Sequence, residues 1–303
     1  MSSAFAAALQ TRSWFRCASN QDRSSLGGDS RTLAQPTVYY FARHRPKAAA
    51  VYIRCVSEDG YFDERVAARY DDYALDPTRQ EFASEDINAT VEFLARLAGE
   101  GPALEFGVGT GRIALPLAHR GVPTHGIDLS RPMVARLKAK PGGEDIGVAI
   151  GDFSTTSAPG SFSLVYLICN TIMNLTSQEA QVACFRNAAA HLRGGGCFVI
   201  KVMVPELQRL PPGEAFHVFA ASENHWGVDE YDVATQGLIS HHFENIDGRI
   251  ERSSNPFRYV WPSELDLMAE LAGMRLRERW GGWSREPFTS ESRKHVSVWE
   301  KPE

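Results

Sequence analysis

The chain has 303 residues, 43% hydrophobic and 23% charged, with a net charge of −5, which suffices for one large or two small globular domains with a proper core. Its longest strong apolar stretch, CFVIKVMV at 197–204, is cut by Lys201 and falls far short of the about 18 residues that a membrane-spanning helix needs. The five cysteines, at 17, 55, 169, 184 and 197, make no C-x-x-C pair, and no H-E-x-x-H occurs, so a disulfide framework and a zinc site are both disfavoured and a reduced, cytoplasmic setting is expected.

Residues 1–57 carry eight Lys/Arg against two Asp/Glu, a balance of +6 that leaves −11 for the rest. They show no sustained period and read as a disordered or non-native N-terminal extension. An organellar transit peptide, a nucleic-acid arm and a misassigned upstream start are the alternatives. The acidic body lacks the basic balance that offsets phosphate, so no nucleic-acid partner and no membrane partner are expected, and small-molecule chemistry is favoured.

Residues 61–76 (YFDERVAARYDDYALD) predict a short amphipathic helix with Phe62, Val66, Ala67 and Tyr70 near one face, stopped by Pro77. Ser84 is a plausible cap for a second helix in which Ile87, Val91, Leu94 and Ala98 recur at helical spacing. Ala103 to Phe106 then read as a buried strand ending in Glu105 and three alternate glycines, Gly107, Gly109 and Gly111, with a helical pattern from Thr110 onward. A strand over 122–127 ends in Asp128, with Ser130 capping a helix from Pro132 to about Lys140, and a strand over 146–150 ends in Asp152 and Phe153. The strand at 163–168 leads into Cys169, Asn170 and Thr171. A capping box of Thr176 and Glu179 predicts the next helix, a turn follows at 194–196, and 197–204 completes the series. Such alternation implies a parallel sheet covered on both faces.

From Pro205 helical spacing gives way to short β-rich runs at 214–220, 229–235, 237–245 and 250–260, with Asp247-Gly248 as a hairpin signal. An antiparallel sheet inserted here would rise from the carboxyl edge of the main sheet. Pro262 opens a last helix with Leu265, Met268 and Leu271, and strands near 274–280 and 295–300 finish the chain.

The glycine run departs from the dinucleotide fingerprint, which wants glycine or alanine where this chain has Arg112, and Glu105 would repel a pyrophosphate while suiting an ammonium group. Asp128, at the end of the next strand, is in position to accept two ribose hydroxyl bonds.

Glu105-x-Gly-x-Gly-x-Gly, with Asp128, Asp152-Phe153 and Asn170 in order behind it, resembles motif I and the strand-end acids of the class I S-adenosylmethionine (SAM) dependent methyltransferases. The inserted β sheet is similar to that of glycine N-methyltransferase and of the N,N-dimethyltransferases of amino sugars. This resemblance implies a Rossmann-like seven-stranded sheet with helices on both faces and a small antiparallel β insertion. It implies four parts: the extension (1–57), a lid helix with the SAM-binding core (58–204), a substrate cap (205–260), and a helix and strands that complete the sheet (261–303).

It further implies SAM bound by Glu105, Gly107, Gly109, Gly111, Arg112, Asp128, Leu129, Met133, Asp152, Phe153 and Cys169. Methyl transfer would go to a nitrogen or oxygen of a small molecule in a monomer or homodimer, with no metal. Asn170 stands at the implied reaction centre, Tyr70 and Tyr73 are lid candidates, and His241 or His242, on opposite faces of a strand, would face the pocket as a base. Tyr231 is a further candidate. An NAD(P)-dependent oxidoreductase and a SAM-binding protein without turnover are the alternatives.

Overall fold

The computed structural model describes residues 62–73, 84–246 and 248–303. The expectations for residues 1–57, for Pro77 and Asp247, and for the side chains of Tyr73 and Ser84 lie outside the described residues.

Two helices, α1 (Glu64–Tyr73) and α2 (Ser84–Ala98), precede the alternating part of the chain. That part runs β1 (Ala103–Phe106), α3 (Ala114–His119), β2 (Thr124–Asp128), α4 (Arg131–Lys138), β3 (Gly147–Ile150), β4 (Phe162–Leu167), α5 (Gln178–His191) and β5 (Leu192–Met203). An antiparallel hairpin ladder follows: β6 (Phe216–Ala221), β7 (His225–Asp232), β8 (Gly237–Ile246) and β9 (Arg249–Arg258). The chain closes with α6 (Pro262–Leu271), β10 (Arg275–Trp280) and β11 (Lys294–Glu300).

The main sheet has seven strands in the order β3-β2-β1-β4-β5-β11-β10, and β6-β7-β8-β9 form a separate four-stranded sheet, as the sequence led one to expect. The first five strands are parallel to their neighbours, and β11 runs antiparallel to both β5 and β10. Every residue of β1 and β4 is buried, which is why these strands read as continuous apolar runs rather than as alternating ones. One face packs Leu104, Phe106, Val165 and Phe198 against Phe185 of α5 and Leu265 of α6. The opposite face packs Ala103, Leu164, Tyr166 and Val199 against Val91, Phe93 and Leu94 of α2.

Several element boundaries differ from the sequence reading, three of them for reasons the structure shows. The α5 cap is Ser177 rather than Thr176: its hydroxyl accepts from the Ala180 N–H at 3.1 Å, so the helix starts at Gln178. The α3 helix begins at Ala114 and spans six residues, because the chain from Gly107 to Arg112 is committed to the loop. Strand β5 begins at Leu192, which pairs with Phe162 before the register shifts, although burial becomes continuous only from Gly196.

The cap sheet is rooted in the core rather than tethered by loops. Tyr231, Leu238 and Tyr259 are buried in the α5/α6-side cluster, and Arg258 donates to Glu264 at 2.7 Å and to Gln181. Gln236 donates to Glu264 at 2.8 Å and to the Tyr259 carbonyl at 3.0 Å. The side chains of Arg258 and Glu264 are only 7% and 15% exposed, so removing one partner strands a buried charge. Arg258→Ala is expected to destabilise by about 3–5 kcal/mol in chemical denaturation, and the paired change Arg258→Leu/Glu264→Leu to recover most of that loss. A single-variant loss too small to measure would contradict the root described here.

Candidate active site

The site is built where β1, β2 and β4 end at the carboxyl edge of the main sheet. Gly107, Gly109 and Gly111 take φ values of 71°, 54° and 78°, a left-handed path that glycine follows without the clash of a β-carbon. The loop is pinned to β2, because the Gly109 N–H donates to Asp128 Oδ2 at 2.7 Å while the Ser130 N–H donates to Oδ1 at 2.8 Å. Burial raises the Asp128 carboxyl above its ordinary value, and the two N–H donors pull it back down. Each oxygen therefore keeps one acceptor direction for a ligand hydroxyl. Ser130 Oγ accepts from the Met133 N–H at 3.2 Å, capping α4 as its sequence position predicts.

Leu129 is 44% exposed beside Asp128, whereas Met133 is buried beneath the loop, with Cε 3.3 Å from where a β-carbon on Gly109 would stand. Met133 thus supports the loop from below. Asp152, at the end of β3, is exposed and accepts the Ser154 N–H at 2.8 Å. Phe153 could offer a ligand its ring or its backbone N–H, and the structure leaves the backbone. The ring is buried in the core, stacked on Phe106 at 5.9 Å between centroids, so only the backbone stays at the strand end. Burying the ring against other apolar groups is the stronger pull.

Glu105 is 4% exposed, on the α2 face of β1. It pairs in register with Tyr166, whose hydroxyl donates to Oε2 at 3.0 Å. Burial pushes its carboxyl up to about 8, against the pull of the Tyr166 bond and the Arg112 charge. Arg112 donates to Cys169 Sγ at 2.6 Å, so the loop also closes onto the end of β4. Tyr70 of α1 is brought against the same cluster: burial, reinforced by Cys169, raises its phenol well above the usual range, with Arg112 opposing and Glu105 and Asp128 adding to the rise. Glu105, Arg112, Asp128, Cys169 and Tyr70, scattered over 100 residues of sequence, thus form one group of interacting charges.

The helix that carries Tyr70 is fastened by residues the sequence reading did not single out. Thr110 Oγ1 donates to Asp71 at 2.7 Å, Lys140 pairs with Asp71 at 2.8 Å and also donates to the Thr110 carbonyl at 2.9 Å. The Ser130 hydroxyl donates to the Phe62 carbonyl. The only signal in the sequence was Asp71 beside Tyr70, since nothing local links positions 71, 110 and 140.

Cys169 and Asn170 are both left-handed, at φ 57° and 63°, a conformation that costs a non-glycine residue about 1–3 kcal/mol and clusters at functional sites. The Asn170 carboxamide oxygen accepts the Met203 N–H at 2.8 Å, which ties it to β5 and leaves the amide nitrogen to offer. The two histidines separate. His242 shares the face of Tyr231 and Leu238, stacks on His225 at 5.3 Å and bonds to it at 3.0 Å. His241 points to the outer face, toward Ser254 at 2.8 Å and Glu230 at 3.2 Å, and so leaves the set of pocket candidates. Tyr231 is a core residue, 5% exposed and packed on Tyr259.

Among the described residues, no group of three or more His, Cys, Asp or Glu side chains converges as a metal site, and no helix is long and apolar enough to cross a membrane.

A family model described as a methyltransferase domain matches residues 103–196, from β1 into β5. The chain is 33% identical to the CcbJ methyltransferase of Streptomyces caelestis, over 82% of this chain and 100% of that one, with a TM-score of 0.71. It is 27% identical over 203 residues to the cypemycin N-terminal methyltransferase of a Streptomyces species, covering 65% of this chain and 82% of that protein. The fold is also that of SAM-bound CalS10, an amino pentose methyltransferase of Micromonospora echinaspora, at 18% identity and a TM-score of 0.55 over 72% of this chain and 90% of that one. With its glycine loop, strand-end acids and seven-stranded sheet, and its 33% identity to the CcbJ methyltransferase along that protein's whole length, the chain belongs to the class I SAM-dependent methyltransferase family.

Proposed function

We propose that the enzyme transfers the methyl group of SAM to the nitrogen of a small amine-bearing acceptor, held between the carboxyl edge of the main sheet and the cap sheet. The division of labour follows the parts expected from the sequence: lid helix and SAM-binding core in 58–204, acceptor cap in 205–260, and completion of the sheet in 261–303. The observation that carries the nitrogen reading is the absence of a positioned base among the described residues. The Tyr70 phenol is held protonated, His241 faces away, and His242 is bonded to His225. An alkyl hydroxyl would need a base, whereas an amine that enters neutral needs alignment and dryness. The named activities of the cypemycin and CalS10 enzymes, on an N-terminus and an amino pentose, support the same reading. The −11 balance outside residues 1–57 supports a small acceptor over a nucleic acid.

The residues fit SAM. The loop has no β-carbon at Gly107, where one would meet Thr171 at 2.9 Å, and one acid stands at the end of each of β1, β2 and β3. SAM supplies a methyl group on a sulfonium that leaves readily. Glu105 takes the ammonium of its methionyl end, Asp128 the ribose hydroxyls and Asp152 the exocyclic amine of the base, with Leu129 flanking the base and Arg112 and Cys169 closing the methionyl side. Tyr70 covers the site and excludes water, and the Asn170 amide positions the acceptor. Alignment of this kind supplies about 7–11 kcal/mol of barrier reduction.

Asp128→Ala is expected to weaken S-adenosylhomocysteine binding about tenfold or more by calorimetry, the loss that follows removal of a charge-assisted hydrogen bond. Unchanged affinity would move the ribose elsewhere. Glu105, held near 8, is mostly protonated at pH 7, so cofactor binding should release a proton there, and affinity should rise with pH up to about 8. Titrations in buffers of different ionisation enthalpy read this directly, and Glu105→Gln should abolish the release. The same raised value makes the ionisation of Glu105 oppose folding, so its contribution to stability declines as pH climbs from about 4.5 to about 8. Metabolite extracts incubated with protein and isotopically labelled SAM should yield a mass-shifted N-methyl product. Tight NAD(P)H binding without S-adenosylhomocysteine binding, or binding without any transfer, would favour the two alternatives.

A further inference from the structure

The inner face of the cap sheet, rooted in the core through Tyr231 and Leu238, carries an ordered series of polar side chains. Outward from that root, Asp229 pairs in register with Ser240, Gly227 with His242, and His225 with Glu244. The root lies beside the turn that follows Asn170, because Gln181 donates to the Ile172 carbonyl at 3.3 Å and to the Arg258 carbonyl at 3.1 Å. Near its outer end the same face meets α1, where Arg65 pairs with Glu251. Ser240 is buried and His225 half-buried at the β6–β7 turn, so the series runs from interior to surface.

Hydrogen bonds join it end to end. Ser240 Oγ stands 3.3 Å from His242 Nε2, and His242 Nδ1 stands 3.0 Å from His225 Nε2. A neutral imidazole has one donor and one acceptor nitrogen, so the chain can be polarised outward, from Ser240 to His225, or inward. The two rings lie almost parallel, 10° apart with centroids at 5.3 Å, and Phe219 packs edge-on against both where Gly227 has no β-carbon to obstruct it. The charged groups on this face are His217 of β6, Asp229 of β7, Glu244 of β8, Glu251 of β9 and Arg65 of α1. Three acids in this set favour a cation in transit along the chain.

We propose that Ser240, His242 and His225 form a relay that takes a proton from an ammonium acceptor before methyl transfer and delivers it to solvent. An acceptor N–H bond breaks toward Ser240 Oγ, whose own proton moves to His242 Nε2. The Nδ1 proton of His242 moves to His225 Nε2, and His225 gives its Nδ1 proton to water. One proton enters and one leaves, while the nitrogen keeps the electron pair that then attacks the methyl carbon as the C–S pair departs on sulfur. The inference rests on the nitrogen reading above and places no base at the methyl carbon. An ammonium near about 10.4 lies within reach of imidazoles near about 6.5, whereas an alkyl hydroxyl is far too weak an acid for such a relay.

The test follows the labelled N-methyl product formed from metabolite extract and isotopically labelled SAM, as a function of pH. His242→Gln and His225→Gln are expected to slow its formation about a hundredfold at pH 7 and to approach the wild-type rate toward pH 10, where the acceptor is neutral unaided. Their melting temperatures and affinity for S-adenosylhomocysteine should stay unchanged, and His241→Gln, on the outer face, should match the wild type at every pH. Imidazole nitrogen shifts in the wild-type protein should show the pair taking up one proton near neutrality and the second only at much lower pH, since two protonated rings cannot share the bond. Two independent uptakes near neutrality, an undiminished rate at pH 7, or a loss equal at all pH values overturns the proposal. A wild-type product labelled on oxygen, or no product at all, refutes the nitrogen reading itself and the relay with it.

Discussion

The carboxylate of Asp128 holds three parts of the site in place at once. One oxygen fixes the glycine loop through Gly109, and the other fixes the entry to α4 through Ser130. Ser130 in turn caps that helix and reaches the backbone of the segment leading into α1. A strand-end acid thereby sets the path of the loop that must lie flat against a ligand, and the position of the helix that lies over it. The arrangement depends on burial: in water these bonds would compete with solvent, whereas beneath a covering helix they are worth more.

The cap sheet and helix α1 are held by different means. The cap sheet meets the core through buried aromatic rings and the Arg258–Glu264–Gln181–Gln236 network, so its root moves with the main sheet. Helix α1 is attached through polar contacts to the glycine loop and α4, and through Arg65 to Glu251 on the cap at 2.8 Å. The firm root fits the role proposed for the cap sheet in setting acceptor geometry, and the polar fastening fits the role proposed for α1 as a cover that admits the cofactor.

Much of the fold was legible because its signals are local. Glycines at alternate positions, an acid at the ends of β1, β2 and β3, Ser130 before Pro132 and the change from helical to alternating pattern after Pro205 each report a need that neighbouring residues must meet. What stayed hidden depends on partners far along the chain. Phe153 reads equally well as a platform or a core ring until Phe106 is placed beside it. Thr176 and Ser177 are equivalent caps until the turn geometry selects one. The left-handed backbone at Cys169 and Asn170 and the Asp71–Thr110–Lys140 contacts leave no trace in local pattern, because each is set by how strands and helices meet. Sequence placed Glu105, Asp128 and Asp152 at the ends of β1, β2 and β3 and divided the cap histidines between two faces, without telling which face turns inward.

The fastening of α1 carries a kinetic consequence. Its ion pairs are partly exposed: Lys140 and Asp71 are 31% and 39% accessible, Arg65 and Glu251 62% and 48%. Pairs of this kind contribute about 0–1 kcal/mol each and weaken as dissolved ions screen them. In the proposed role of α1 as a cover, several weak bonds rather than a single strong latch share in holding it, and the residence time of the spent cofactor becomes a function of ionic strength, with dissolved salt acting as a throttle on turnover.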